Sequence, residues 1–148
     1  MNYLEQSIFI QSSPVNINSI ASDPHRWPEW YANIEEVAVD SIFPEVGGTV
    51  DLTFSMMGVS VDVRFIQQQF IPAQKSICRI EGRLQGFSRF EVINEDSGSR
   101  AVLALKYKSP GGLIFGLASN FLVKELLSSN FETSLRNLKN LVEMEMPT

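Results

Sequence analysis

Hydrophobic residues follow a two-residue period through the middle of the chain, over residues 34–108. The runs TVDLTFSMM and VSVDVRFI alternate apolar and polar side chains, which is typical of strands with one buried face. They meet at Met57-Gly58, a dipeptide that predicts a tight hairpin. Together with YLEQSIFIQ, EEVAVDSIF, KSICRIEGR, LQGFSRFEVI and RAVLALKYK, they predict an antiparallel sheet of about seven strands with one apolar face.

Two short helices are predicted directly after the first strand. Ser12 or Ser13 can cap a helix that has Pro14 in its first turn and ends near Ala21. Asp23 can cap a second helix through the tryptophan segment, which we define as DPHRWPEWY, residues 23–31. Pro28 is expected to break or redirect this second helix.

After SPGG, at residues 109–112, the hydrophobic period becomes helical. A helix over residues 113–143 would be roughly 45 Å long at ~1.5 Å per residue, so it must cross several strands. The order of elements therefore predicts an α+β architecture in which a strongly curved sheet wraps around a long C-terminal helix. The predicted apolar stripe of this helix consists of Leu117, Phe121, Phe131, Leu135, Leu138 and Val142.

This order, with the residues that fill it, resembles the START-like or Bet v 1-like helix-grip superfamily (SRPBCC), and within it the polyketide cyclase/dehydrase and lipid-transport branch. The resemblance rests on the proline-led helix followed by a D-P-x-x-W-P-x-W segment, on VGGTV and on the ending LRNLKNLVE. It spans nearly the whole chain, which we interpret as one domain over residues 1–148. It implies an apolar cavity between sheet and helix, and hence ligand binding, but the fold does not distinguish carriers from cyclases.

The tryptophan segment has two interpretations. The resemblance implies that Trp27 and Trp30 close one end of the sheet, and two large side chains three residues apart on a short helix can do so. Alternatively, Trp30 or Tyr31 contacts a ligand at the cavity wall. His25 lies on the charged side of the segment and is expected to be exposed to solvent.

Composition limits the chemistry. The net charge is −5, from 12 basic and 17 acidic residues, and no basic run is present, so nucleic acid is not an expected partner. With one cysteine and one histidine, no disulfide, metal site or bound cofactor is expected, and no catalytic residue is assigned. No signal peptide or transmembrane segment is recognisable, which predicts a cytoplasmic protein.

Lys124 interrupts the apolar stripe of the predicted helix. If the helix faces a cavity, Lys124 and Ser128 would anchor a polar group of a ligand; alternatively, the lysine extends to water or a kink displaces it. Tyr107, expected to point inward, is a second candidate donor or a core tyrosine. The predicted ligand-binding residues are Phe54, Met56, Val61, Phe65, Cys78, Phe90, Leu103, Tyr107, Leu117, Phe121, Lys124 and Ser128.

Three functional hypotheses remain open at this point. The first is binding, with or without transfer, of a small hydrophobic molecule such as a lipid or polyketide-like compound. The second is a cyclase or dehydratase in the same cavity, with Lys124 or Tyr107 polarising a carbonyl. The third is protein interaction, through a gate-like Met56-Met57 hairpin or through Phe87 and Ile93 on the outer sheet face, where a weak homodimer contact is predicted.

Overall fold

The computed structural model describes residues 2–108 and 120–147 of the chain. Its seven strands form one antiparallel sheet in the order β1-β7-β6-β5-β4-β3-β2. The predicted fold is confirmed, with short helices after the first strand and a C-terminal helix against the curved sheet. The strands are β1 (Asn2–Ile10), β2 (Ile34–Val39), β3 (Thr49–Met56), β4 (Val59–Ile71), β5 (Lys75–Gly82), β6 (Gly86–Glu95) and β7 (Gly98–Tyr107).

The predicted hairpin at Met57-Gly58 is present. Both residues have positive φ, 55° and 76°, as a two-residue turn matching the twist of its flanking strands requires. The resulting register pairs Val50 with Phe65 and Leu52 with Val63, so the apolar residues of β3 and β4 share one face. Met57 points to solvent. The alternation in the sequence therefore identified the inner face of this hairpin.

The short helices follow their predicted signals. Ser13 caps α1 (Pro14–Ala21) by accepting a hydrogen bond from Asn16 N at 3.2 Å. The Asp23 carboxylate likewise accepts from His25 N at 3.0 Å and caps a 3-10 turn, Pro24–Arg26. Pro28 does not break the next helix, α2 (Trp27–Trp30), because it lies in the first turn, where its missing N–H costs no helical hydrogen bond.

The C-terminal helix, α3 (Asn120–Glu145), packs against β1 and β7 across the concave face of the sheet. Its 26 residues span roughly 39 Å at ~1.5 Å per residue. No helix among residues 2–108 and 120–147 is long and apolar enough to cross a membrane. The buried residues of α3 are Val123, Leu127, Asn130, Phe131, Ser134, Leu135, Leu138 and Val142.

The inward face at the start of α3 differs from the prediction. Phe121 is 69% exposed and Lys124 is exposed, whereas Val123 and Leu127 are buried. A projection at 100° per residue assumes that one direction faces the core along the whole helix. Because α3 crosses a curved sheet, the side of the helix that faces the core rotates along the length of the helix. At the start of α3 the inward position is therefore taken by Val123, which projects about 100° away from Lys124. Leu117 lies outside the described residues.

On the outer sheet face, the predicted orientation of two apolar side chains is confirmed. Phe87 and Ile93 of β6 are 42% and 45% exposed. The proposed homodimer contact at these residues stays a prediction.

Candidate functional site

Two small chambers lie on the inner side of the sheet, one bordered by α1 and the tryptophan segment and the other by α3. The tryptophan chamber, about 40 Å³, is lined by the rings of Trp27, Trp30, Phe43 and Phe90 together with Gln67 and Cys78. The methionine chamber, about 50 Å³, is lined by Met56, Phe54, Leu52, Leu127, Asn130 and Phe131. Tyr31, Phe65 and Ser88 line both. These three residues therefore form the partition between the two chambers.

The tryptophan segment forms one end wall. Trp27 donates from Nε1 to the Ala21 carbonyl at 2.9 Å, and its ring meets Phe43 and Phe65 with centroids 5.9 and 5.8 Å apart. Trp30 stacks on Tyr31 with centroids 4.8 Å apart and an interplanar angle of 29°. Both indoles are buried. The segment thus closes the sheet end with the same side chains that line the chamber.

Arg26 ties this segment to the end of α3. Its guanidinium pairs with Glu29 at 2.8 Å and with Glu145 at 2.5 Å. His25 is exposed, as predicted, and its ring lies 3.2 Å from the Asp23 carboxylate. The polar side of the segment therefore holds its position at the surface, while the tryptophans point inward.

Polar side chains of α3 hold the backbone that follows Trp30. Ala32 N donates to Ser134 Oγ at 2.9 Å, and Asn130 Nδ2 donates to Ala32 O at 2.9 Å. Asn137 Nδ2 donates to Trp30 O at 3.2 Å. Buried polar groups need such partners, and here they satisfy backbone groups of an irregular connection. Together they hold the connection that carries Tyr31, one of the two aromatic members of the partition.

A hydrogen-bonded group built around Gln67 lines the tryptophan chamber. Gln67 Nε2 donates to Pro44 O at 2.9 Å, while Gln67 Oε1 accepts from Ser76 Oγ at 2.8 Å and from Cys78 Sγ at 3.2 Å. Gln67 is buried and continues the inward series of β4 beyond Phe65. The amide is therefore used within the protein and fastens the loop that carries Phe43.

The chamber walls are uncharged over the described residues. Neither chamber is lined by an Asp, Glu, Lys, Arg or His side chain. Burial raises the pKa of Cys78 to about 12, against a lowering by its hydrogen bond with Ser76. Burial also raises the pKa of Tyr31 well above its ordinary value, and a hydrogen bond with Ser88 opposes this in part. Both groups are therefore neutral at physiological pH.

The structure brings half of the predicted ligand-binding residues to the chamber walls. These are Phe54, Met56, Phe65, Cys78, Phe90 and Leu103. Their role in binding stays a prediction.

Five other predicted residues lie elsewhere among the described residues. Val61 and Tyr107 are buried but line neither chamber. Ser128 Oγ accepts a hydrogen bond from Gln6 Nε2 at 2.9 Å, so it connects α3 to β1. Phe121 is exposed, so its placement on the inner face was wrong. Lys124 is exposed as well, which agrees with the alternative that it extends to water and not with its placement as an anchor on the inner face.

Ser88 and Gln67 were missed, although the sequence carried a signal for each. Both continue the inward parity of their strands, with Phe90 in β6 and Phe65 in β4. Both are polar residues at positions where the alternation of the strand otherwise places apolar side chains. Across residues 2–108 and 120–147, no group of three or more His, Cys, Asp or Glu side chains is placed to hold a metal ion.

The chain is similar to a described family and to solved structures. The family model for polyketide cyclase / dehydrase and lipid transport matches residues 1–143. No curated protein is significantly similar in sequence. The crystal structure of TTHA0849 from Thermus thermophilus has a TM-score of 0.84 at 20% identity, covering 98% of this chain and 99% of that one.

Two further structures share the architecture. Zhui aromatase/cyclase from Streptomyces sp. R1128 has a TM-score of 0.82 at 13% identity, with 99% of this chain and 96% of that chain covered. The Aha1 dimer from Colwellia psychrerythraea has a TM-score of 0.70 at 16% identity, with 99% of each chain covered. At these identities the likeness shows the helix-grip fold, and the predicted resemblance is confirmed.

Proposed function

The chain belongs to the polyketide cyclase/dehydrase and lipid transport family, and we propose that it binds a small, neutral, largely apolar molecule in the two chambers on the inner side of the sheet. The observation that carries this proposal is the pair of aromatic, uncharged chambers in one interior. An ionised ligand would lose its hydration there without an opposite charge to compensate. A neutral ring system instead gains from burial against aromatic side chains.

Binding a ligand of ordinary size requires the two chambers to join. Sites for such molecules typically enclose about 300–1,000 Å³, far more than either chamber. Tyr31, Phe65 and Ser88 form the whole shared boundary. We infer that a ligand displaces the Tyr31 ring, which lies on an irregular connection rather than within a strand.

Binding is favoured over acid–base catalysis in these chambers. A cyclase or dehydratase needs a group that exchanges a proton near neutral pH. The titratable groups on the described walls, Tyr31 and Cys78, both have raised pKa values. Of the two residues suggested by the enzyme hypothesis, Lys124 is exposed and Tyr107 lines neither chamber. Transfer of the bound molecule between membranes would follow from binding and needs its own assay.

The test compares N-phenyl-1-naphthylamine, which is neutral, with 1-anilinonaphthalene-8-sulfonate, which adds one negative charge to the same rings. We expect saturable 1:1 fluorescence enhancement with the neutral probe and at least tenfold weaker binding of the sulfonate. Ser88→Leu, which fills the partition, should abolish saturation, whereas Phe87→Leu, on the outer face of the same strand, should not.

Two results would overturn the proposal: no saturable binding of the neutral probe to the wild-type protein, or equal affinity for both probes. Thermal unfolding of both variants establishes that they are folded. Native mass spectrometry of protein purified from its source would then identify a bound molecule and its chemical class.

A further inference from the structure

The Trp30 indole N–H is a buried, unused hydrogen-bond donor on a side chain that lines the tryptophan chamber. Trp30 is 2% exposed and lines this chamber. Its Nε1 atom is buried and has no hydrogen-bond partner among the described residues. A donor buried without an acceptor is unfavourable, so such a group in a ligand chamber points to an acceptor from outside the chain.

The neighbouring polar groups do not need a ligand in this way. The Trp27 N–H is bonded to the Ala21 carbonyl. Ser76 Oγ and Cys78 Sγ both donate hydrogen bonds to Gln67 Oε1. Ser88 has no buried side-chain atom left without a partner, and its interaction with Tyr31 opposes the rise in the pKa of that residue. Among the described side chains of the chamber wall, the buried atom without a hydrogen-bond partner is therefore Trp30 Nε1.

We propose that Trp30 Nε1–H donates a hydrogen bond to a carbonyl or ether oxygen of the ligand, so that the chamber selects neutral, ring-containing molecules with such an acceptor. This inference rests on the proposed function. The Trp30 ring centroid lies 6.0 Å from that of Phe90, a contact that does not depend on Tyr31. The indole therefore keeps this contact when a ligand displaces the Tyr31 ring, and the aromatic faces around it accommodate a flat ring. A water molecule can occupy the acceptor position until a ligand oxygen replaces it.

The chain offers a matched control, because its two tryptophans are both buried but differ in their hydrogen bonding. Trp30→Phe removes the unpaired donor and keeps an aromatic ring. Trp27→Phe removes a donor that already has a partner in the protein. The two ligands are also matched: acetophenone and α-methylstyrene have the same shape, but a C=CH₂ group replaces the C=O group.

Dissociation constants for both ligands are measured by titrating backbone amide NMR signals of the wild-type protein and the two variants. Trp30→Phe should reduce the preference for acetophenone over α-methylstyrene by about fivefold, the value of a typical hydrogen bond, and Trp27→Phe should leave that preference unchanged. The quantity compared is the ratio of the two dissociation constants for each protein. A cavity left by the smaller phenylalanine ring affects both ligands equally and therefore cancels in this ratio.

The wild-type protein supplies a second measurement that does not depend on the folding of a variant. Acetophenone, and not α-methylstyrene, should shift the Trp30 indole proton signal downfield. If both ligands bind but the preference survives Trp30→Phe and the indole signal responds equally to both, the donor assignment is wrong while the proposed function stands. If neither ligand binds, both fail.

Discussion

Removing the Ser134 hydroxyl should destabilise the protein by releasing the connection between α2 and β2. Ser134 is fully buried, and its Oγ accepts from Ala32 N at 2.9 Å and donates to Asn130 O at 2.7 Å. In Ser134→Ala the Ala32 N–H loses its acceptor. The Asn130 carbonyl keeps its place in the backbone ladder of the helix, so its loss is smaller.

The magnitude follows from these two bonds. A buried amide left without a partner costs about 1–3 kcal/mol. Alanine recovers up to about 0.5 kcal/mol because its helix propensity exceeds that of serine. Ser129→Ala, on the exposed side of the same helix, receives that gain without the loss. The free energy of unfolding of Ser134→Ala should therefore lie about 1–3 kcal/mol below that of Ser129→Ala.

Urea denaturation followed by tryptophan fluorescence suits this comparison, because both tryptophans immediately precede the connection. Equal unfolding free energies for the two variants, with equal m-values, would refute the reasoning. That result would mean that the Ala32 N–H forms a hydrogen bond with water in the variant without loss of stability. It would also mean that α3 does not hold the connection between α2 and β2.

Three further predictions concern other sites. Burial raises the pKa of the Cys78 thiol from 9.0 to about 12, so the unfolded chain loses the thiol proton at a lower pH than the folded protein does. The free energy of unfolding should therefore fall as the pH rises above about 9, by up to ~1.4 kcal/mol per pH unit. Urea denaturation at several pH values should show a shallower fall for Cys78→Ala. Lys124→Ala should leave the affinity for N-phenyl-1-naphthylamine within twofold of wild type in a fluorescence titration, since Lys124 is exposed. A larger loss of affinity would indicate that Lys124 contacts the ligand after all. Gly58→Ala should lower the free energy of unfolding by about 1 kcal/mol, because its φ of +76° is unfavourable for alanine. The added Cβ meets no other atom, so no steric clash contributes to this loss. An unchanged urea midpoint would contradict the prediction.

Local patterns in the sequence were sufficient for the sheet and the short helices. Alternation identified Val50, Leu52 and Val63 as inward residues because successive side chains of a strand point to opposite faces whatever packs against them. The caps at Ser13 and Asp23 were equally predictable, since a capping side chain bonds a backbone N–H only two or three residues away.

The inner face of α3 was predictable over its later turns and not at its start. Leu135, Leu138 and Val142 are buried as the helical period predicts. Lys124 shares their projected stripe and is nevertheless exposed. A helical projection contains no information about which neighbour lies beside each turn, and the curvature of the sheet supplies that information.

The chambers themselves are a tertiary property. Trp30 and Ser88 are 58 positions apart in sequence, and nothing local to either indicates that they line one cavity. The sequence by itself determined the elements, the apolar inner face and the presence of two large rings near one end, because these depend on contacts within a few residues. The partition at Tyr31, the unpaired Trp30 N–H and the uncharged walls were decided by the packing of the sheet against the tryptophan segment and α3, because each depends on which distant side chains meet.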